Sequence, residues 1–435
     1  MPTEKKICEG VYFLSLTLEN VRCFSEKQTL DLSDGNGRPA QWTVILGDNG
    51  VGKTTLLEVL KKHTALIDGS ETQTLPRKNA EQYFIEYTYA SGGTLDDQSK
   101  EFKVNSYRWR DYSPSTTRRK VAEFMNSKIP VAAQMYTSNN IQIHLYSYWA
   151  NRKPEKYNFS FKPTTPDTLT RSEDELIKAE EWLLSTDYIA NKPSEIQDTY
   201  KERFQIIKDV LIKLLPNVED IQVSEPTANL PLPRVQFKTA DGWLLFYQLS
   251  LGYQTMTTWM VDLAARLFDT YPNSPNPIAE PAVVLIDEID LHLHPKWQRT
   301  IMSYLSERFI NTQFIVTAHS PLIVQAAEQA NIVVLKREGD SVTIHQQEKD
   351  VQGWRIDQLL TSDLFDLGSA RSPFYENKLA QRRQILSKPE LTDEDQAQLK
   401  VLEAEIGDLP TAETPEDIAA MDIIRRAAEL LKTSA

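Results

Sequence analysis

The chain has 435 residues, 40% hydrophobic and 25% charged, with 48 basic against 61 acidic side chains and a net charge of −13. That composition describes a folded protein with ample core, and the acidic balance argues against a surface that coats nucleic acid non-specifically. Two cysteines, Cys8 and Cys23, are too few for a disulfide framework, no apolar run is long enough to cross a bilayer, and the N-terminus leads straight into polar sequence, so a cytoplasmic protein without a membrane partner is expected.

The stretch from Leu14 to Phe24 alternates as a strand should and then turns. Trp42 to Leu46 is an apolar run, followed by Gly47, Asp48, Asn49, Gly50, Val51, Gly52, Lys53 and Thr54, and then by the helix-like Leu56 to Leu60. Strand, glycine-rich loop and helix in this order make a phosphate loop. Asn49, Gly50 and Gly52 let successive backbone N–H groups curl around a β-phosphate, Lys53 neutralises β- and γ-oxygens, and the Thr54 hydroxyl completes a Mg²⁺ shell. Thr54 and its neighbour Thr55 sit at a helix N-terminus that carries about half a positive charge. The cofactors implied are ATP and Mg²⁺.

Tyr83 to Tyr89 and Phe102 to Val104 read as strands. Tyr107 to Tyr112, with Arg108, Trp109 and Arg110, and the nearby Thr117 to Lys120 interleave basic and aromatic side chains, which suits a local DNA contact. The same alternation is what a half-exposed hairpin strand looks like, and that is the stronger reading.

Residues 172–215 read as helical. Glu173, Asp174 and Glu175 crowd the first turn of one helix, and Phe204, Ile207, Val210, Leu211 and Leu214 form an apolar stripe in the next. Strands near Ile221 to Val223 and Val235 to Phe237 lead to Leu249, Ser250, Leu251 and Gly252. There Ser250 and Gly252 open a helix with its apolar face on Met256, Trp259, Met260, Leu263, Ala264 and Leu267, a second site suited to an anion. A proline-rich connector, Tyr271 to Pro277, runs to Ala282 to Ile286, a wholly apolar strand that delivers Asp287 and Glu288 at its C-terminal edge. Asp287 is placed to hold Mg²⁺, and Glu288 to polarise the water that attacks a γ-phosphate. His292 and His294 lack i, i+4 helical spacing and have no cysteine cluster beside them, so they are not read as a zinc pair. His319 follows the short apolar strand ending near Thr317, where its imidazole meets a γ-phosphate. Ile332 to Leu335 reads as the last major strand. Amphipathic helices follow at Phe374 to Leu386 and Ala397 to Ile406, with Thr392 as an N-cap before Asp393, Glu394 and Asp395.

Taken in order, these motifs resemble ABC-type ATPases. Leu249 to Gly252 is similar to their Leu-Ser-x-Gly signature, which binds the γ-phosphate held by the opposite subunit. The run from Ile289 to Gln298, with its His-Leu-His-Pro core, and the Gln313 to Pro321 segment resemble the D-loop and switch histidine of the RecF, SMC and OLD-like branch. The resemblance implies that Arg22 contacts nucleotide. Tyr148 to Lys153 looks like a degenerate Tyr-Gly-x-x-Arg element where the Q-loop falls; the glycine is missing, so Gln134 or Gln142 serve as alternatives to Arg152.

The expected fold is an α/β ABC-type P-loop ATPase head with two lobes, an inserted helical segment and a C-terminal helical extension. The head spans residues 1–350: a β-rich lobe at 10–165, a helical insertion at 166–216, and the signature, acid-strand and histidine lobe at 217–350. Residues 351–435 form a helical assembly or partner interface. Without long heptad arms, a Cys-x-x-Cys hook or a nuclease domain of its own, the chain resembles most the ATPases of Septu-type and retron-associated antiphage systems. That resemblance implies homodimers or larger oligomers and a separate HNH-type nuclease partner. A RecF-like DNA-repair ATPase is the alternative, and a transporter ATPase subunit the remote one.

Overall fold

The computed structural model describes residues 10–63, 77, 82–96, 103–112, 143–150, 176–228, 231–346, 351, 353–367, 369–388 and 392–406. The chain divides into two compact units, Met1–Leu359 and Leu360–Ala435.

The first unit is built on a six-stranded sheet whose central strands are the apolar runs of the sequence. In spatial order these are β13 (Ser341–Gln346), β12 (Asn331–Glu338), β3 (Trp42–Gly47), β11 (Thr312–Thr317), β10 (Ala282–Ile286) and β6 (Leu145–Tyr148). All neighbours pair in parallel except the β12–β13 edge. Every residue of β10 and β11 is buried, as expected for parallel strands covered on both faces. Because the strands run the same way, the phosphate loop after β3, the acids after β10 and His319 after β11 emerge at one edge, the C-terminal one.

A second, antiparallel sheet has the order β2 (Gln28–Asp31), β1 (Gly10–Glu19), β4 (Gln82–Gly93) and β5 (Lys103–Tyr112). Helix α1 (Lys53–Lys61) contributes Leu56, Leu57, Val59 and Leu60 to one buried cluster with Phe13, Leu16, Tyr87 and Tyr89 of this sheet and Ile45, Leu285 and Ile315 of the other. Polar bonds lock the register across that core. The Gln313 side chain donates to the Phe13 carbonyl at 2.8 Å and accepts from the Phe13 N–H at 2.9 Å, and Tyr87 Oη donates to the Val59 carbonyl at 2.8 Å. In a dry core each of these would be costly to leave unmade.

Helices α2 (Ala179–Ala190) and α3 (Gln197–Leu214), a small sheet of β7 (Asp220–Val223), β8 (Val235–Thr239) and β9 (Gly242–Leu245), and α4 (Leu251–Thr270) complete this unit's larger elements. The α3 stripe buries Ile207, Val210, Leu211 and Leu214, while Phe204 stays partly exposed. All six apolar positions expected on α4 are buried.

Some elements differ from the sequence reading. Ile332 to Leu335 is not the last strand: β12 continues to Glu338, turns at Gly339 with φ 60°, and returns as β13. The turn is short and the returning strand alternates weakly, which hides it. The acidic first turn of α2 is formed by Glu180 and Glu181, whereas Glu173 to Glu175 lie outside the described residues. The backbone of Tyr107 to Tyr112 belongs to β5, antiparallel to β4, in line with the hairpin reading. Thr117 to Lys120 lie outside the described residues.

In the second unit α9 (Pro373–Leu386) and α10 (Asp393–Ile406) form a hairpin around Ile385, Leu399 and Leu402. A short helix, α8, covers Ile356–Leu360. α10 begins four residues before Ala397 because Thr392 and Asp395 cap it reciprocally, each side chain accepting the other's N–H at 3.2 Å.

Candidate functional site: the phosphate-loop edge

At the end of β3 the chain turns through Gly47, Gly50 and Gly52, all at positive φ. Gly52, at φ 103°, is the N-cap of α1, and a Cβ there would run into the Cys23 sulfur. The loop therefore needs glycine at that position both for its left-handed backbone and for the close approach of the β1–β2 connection. Lys53 is buried, and its ammonium donates to the carbonyls of Gly47 at 2.7 Å and Asp48 at 2.9 Å. Burial pushes its pKa down, with Asp287 and Glu288 acting in the opposite direction.

Across the sheet edge, Thr54 Oγ1 donates to Asp287 Oδ2 at 3.0 Å. The other oxygen, Asp287 Oδ1, accepts from Thr317 Oγ1 at 2.7 Å, and that same hydroxyl accepts the backbone N–H of Glu288 at 2.7 Å. Glu288 itself has φ 52°, a left-handed conformation unusual for a residue with a long side chain. Thr317 thus organises both acids: it orients the Asp287 carboxylate through one bond and holds the turned backbone of Glu288 through the other. The motifs of the sequence give Thr317 no role of its own. Its signal was a threonine that closes the buried apolar run Phe314 to Val316, two positions before His319.

His319 is exposed, and its backbone N–H donates to Asp290 Oδ2 at 3.1 Å. Ser320 caps the following short helix, α7 (Pro321–Ala326), and donates to Gln298 Oε1 at 2.6 Å. The Gln298 amide in turn donates to the carbonyls of Leu293 and Asp290. The loop after β10 and the histidine segment are therefore one hydrogen-bonded block. His294 serves as the N-cap of α5 (Pro295–Gln298), its Nδ1 accepting from the Lys296 N–H.

Arg22, at φ 46°, forms an ion pair with Glu58 of α1 and lies 3.5 Å from Thr55 Oγ1. It is on the flank of the phosphate-loop helix, a turn from Thr54. A second arginine also reaches this loop: Arg337 of β12 donates to the Gly50 carbonyl at 2.9 Å. Asn49 and Gly50 form the exposed tip of the loop.

Ser250 and Gly252 are placed elsewhere. Ser250 is the exposed N-cap of α4, and its hydroxyl makes no capping bond. Gly252 packs so closely on the loop after β10 that a Cβ would stand 2.5 Å from the His292 carbonyl oxygen. β6 ends at Tyr148, beside Asp287, whose N–H donates to the Tyr148 carbonyl at 2.8 Å. Arg152, Gln134 and Gln142 lie outside the described residues.

This geometry fits a nucleotide with its metal. A hydroxyl and a carboxylate oxygen converge at Thr54 and Asp287, the all-oxygen donor set that Mg²⁺ prefers. The Lys53 ammonium, bonded to the loop's own carbonyls, is held inside the curl where phosphate oxygens would take it up. Fold and site together define a P-loop ATPase head.

The chain belongs to the family described as "AAA domain, putative AbiEii toxin, Type IV TA system", whose model matches residues 42–325. It is 38% identical over 130 residues to the Retron Ec83 probable ATPase of Escherichia coli, covering 30% of this chain and 23% of that one. It is 26% identical over 361 residues to the Retron Vc95 probable ATPase of Vibrio cholerae, covering 67% and 68%, and 23% identical over 415 residues to the Septu protein PtuA of Bacillus mycoides, covering 92% and 52%. The match thus spans under a quarter of the first of these relatives and about half of the third. Among solved structures, the fold is similar to an SMC head bound to the C-winged helix domain of ScpA, with 14% identity, a TM-score of 0.42 and coverage of 77% of this chain and 97% of that one. Among the described residues no helix is long and apolar enough to cross a membrane.

Proposed function

We propose that this protein is the ATP-hydrolysing, oligomeric subunit of an antiphage defence system and that it controls a separate HNH-type nuclease. The observation that carries the ATPase half is the bonded chain Thr54, Asp287, Thr317, Glu288 beside the buried Lys53. The defence half is supported by the retron and Septu names of the relatives.

In this reading Lys53, with the N–H groups of the glycine loop, binds the β- and γ-phosphates, and Thr54 and Asp287 hold Mg²⁺. The ion's contribution is to neutralise charge on the phosphate oxygens. Glu288 takes the proton of the attacking water, and His319 donates to the γ-phosphate. Arg22 exchanges part of its pairing with Glu58 for the nucleotide. Ser250 and Gly252 of a second copy close over the γ-phosphate, so that ATP holds two heads together and hydrolysis releases them.

Purification of the tagged chain from its native host, with identification of co-eluting proteins and a nuclease assay with and without ATP, tests this. A stoichiometric nuclease with ATP-sensitive cutting is expected. Recovery of the chain alone, with hydrolysis stimulated by gapped DNA, would replace the defence reading with a repair ATPase. In the purified protein, Glu288→Gln should slow hydrolysis by about 10²-fold or more, as removal of a general base does, and accumulate an ATP-bound dimer on size exclusion. Hydrolysis at the parent rate would remove Glu288 from its role.

A further inference from the structure

A carboxylate outside the phosphate loop is almost wholly buried. Asp262, in the middle of α4, is 1% exposed. It accepts from Tyr148 Oη at 2.8 Å, from Arg266 Nε at 2.8 Å and from the backbone N–H of Ile177 at 2.9 Å. Burying such a group requires this full set of partners, yet a leucine there would satisfy α4 as a packing element without them.

The identity of the partner suggests why it is there. Tyr148 is the last residue of β6, and its backbone carbonyl accepts the N–H of Asp287. One residue thus bonds the backbone of Asp287 with its main chain and α4 with its side chain. Burial, and next the Asp262 carboxylate, push the phenol pKa far up, so Tyr148 remains a donor throughout the working pH range. The grip is repeated along the same pair of elements. Two residues earlier on the same face of β6, Tyr146 Oη bonds Thr270 Oγ1 at 2.8 Å, eight residues further along α4. At the other end of α4 are Ser250 and Gly252, with Gly252 seated on the His292 carbonyl.

We infer that Tyr148 and Asp262 are positioning residues that make β6, Asp287 and α4 move as one body, so that occupancy of the phosphate loop is transmitted to the signature end of α4. A helix of 20 residues is about 30 Å long and stiff, so a displacement of the Asp287 backbone would be passed through its bond to Tyr148, and from Tyr148 through Asp262 along the helix to Ser250. The inference rests on the ATPase reading above and deepens it.

The test compares the parent protein with Tyr148→Phe, Asp262→Asn and the double variant. Three quantities are measured: affinity for a fluorescent ATP analogue, kcat and KM for ATP, and the slowing of amide exchange at residues 251–256 on adding the nucleotide. Tyr148→Phe removes one hydroxyl from a buried ring and keeps the shape, so it serves as the variant that folds. The expected result is affinity within about twofold of the parent, kcat lower by about tenfold as for a misplaced catalytic constellation, and loss of the exchange response. The double variant should be no worse than the poorer single one. Unchanged kcat together with an unchanged exchange response in Tyr148→Phe would overturn the inference, as would equal losses of affinity and kcat, the mark of a damaged fold. A parent protein that binds the analogue without hydrolysing it would defeat the ATPase reading separately, and the exchange response would still decide the coupling.

Discussion

At the phosphate-loop edge the reacting side chains are already organised by one another. Lys53 is folded onto two carbonyls, and Thr54, Asp287, Thr317 and the Glu288 backbone are linked by bonds of 2.7 to 3.0 Å. At the start of α4 the Ser250 hydroxyl makes no capping bond, and Trp243, Tyr247 and Leu251 nearby in sequence are 38%, 56% and 48% exposed. The contrast shows two kinds of preparation. One end is complete within a single chain and needs only its ligand. The other presents an exposed hydroxyl and exposed apolar side chains, the surface to which the proposed contact with a second copy is assigned.

The sharpest way to break that comparison is to disable each end separately. Lys53→Ala removes the buried cation of the curl and should weaken nucleotide binding by about 10²-fold, the scale of losing a charged phosphate contact in a partly desolvated site. Ser250→Arg should leave binding by the isolated chain intact and abolish hydrolysis. Fluorescent-nucleotide titration beside a phosphate-release assay separates the two. Parallel losses in both variants would mean that the ends are not distinct.

A smaller effect is expected from Thr317→Val, which keeps the shape of β11 and removes a single hydroxyl. Asp287 Oδ1 and the Glu288 N–H would each lose the bond to that hydroxyl, so stability should fall by about 1 to 3 kcal/mol. The kcat should fall more than nucleotide affinity, because binding uses Lys53 and the loop. Denaturant unfolding and steady-state kinetics check the pair, and a normal kcat would show that the acids hold themselves. At the signature end, Tyr247→Ala should leave monomer stability within about 0.5 kcal/mol, as for an exposed residue, while reducing ATP-dependent self-association in sedimentation. A drop in stability with no change in association would place the tyrosine inside the fold instead.

The smallest effect concerns neither end. His63, buried beside Phe13 after α1, has its pKa lowered by burial from 6.5, although its Nδ1–H bond to the Leu60 carbonyl acts the other way. Its unfolded form takes a proton more readily than its folded form. The stability it supports is therefore full above about pH 6.5 and is lost as pH falls through that value toward the lower folded-state pKa. Melting temperatures of the parent and His63→Phe between pH 8 and about pH 5.5 should diverge in slope only at the acid end. Parallel curves would rule out this titration.

What the sequence determined by itself was whatever short-range chemistry dictates. Val283 to Ile286 and Phe314 to Val316 are apolar without interruption, so they had to be strands covered on both faces; Gly52 before Lys53 and Thr54 had to begin a phosphate-loop helix; and the Leu249 to Gly252 stretch opened the helix α4. Asp287 and Glu288 were legible because a buried strand that ends in two acids delivers them at an edge. The tertiary structure alone decided how distant residues meet. Thr317 lies 30 positions from Asp287, Asp262 lies 114 from Tyr148, and Gln313 lies 300 from Phe13, each joined by a hydrogen bond inside the core. Nothing local favours a threonine, an aspartate or a glutamine at those positions. Parallel pairing and the packing of α4 along β6 bring each to a partner, and burial then makes the bond costly to break, because water is not there to replace it.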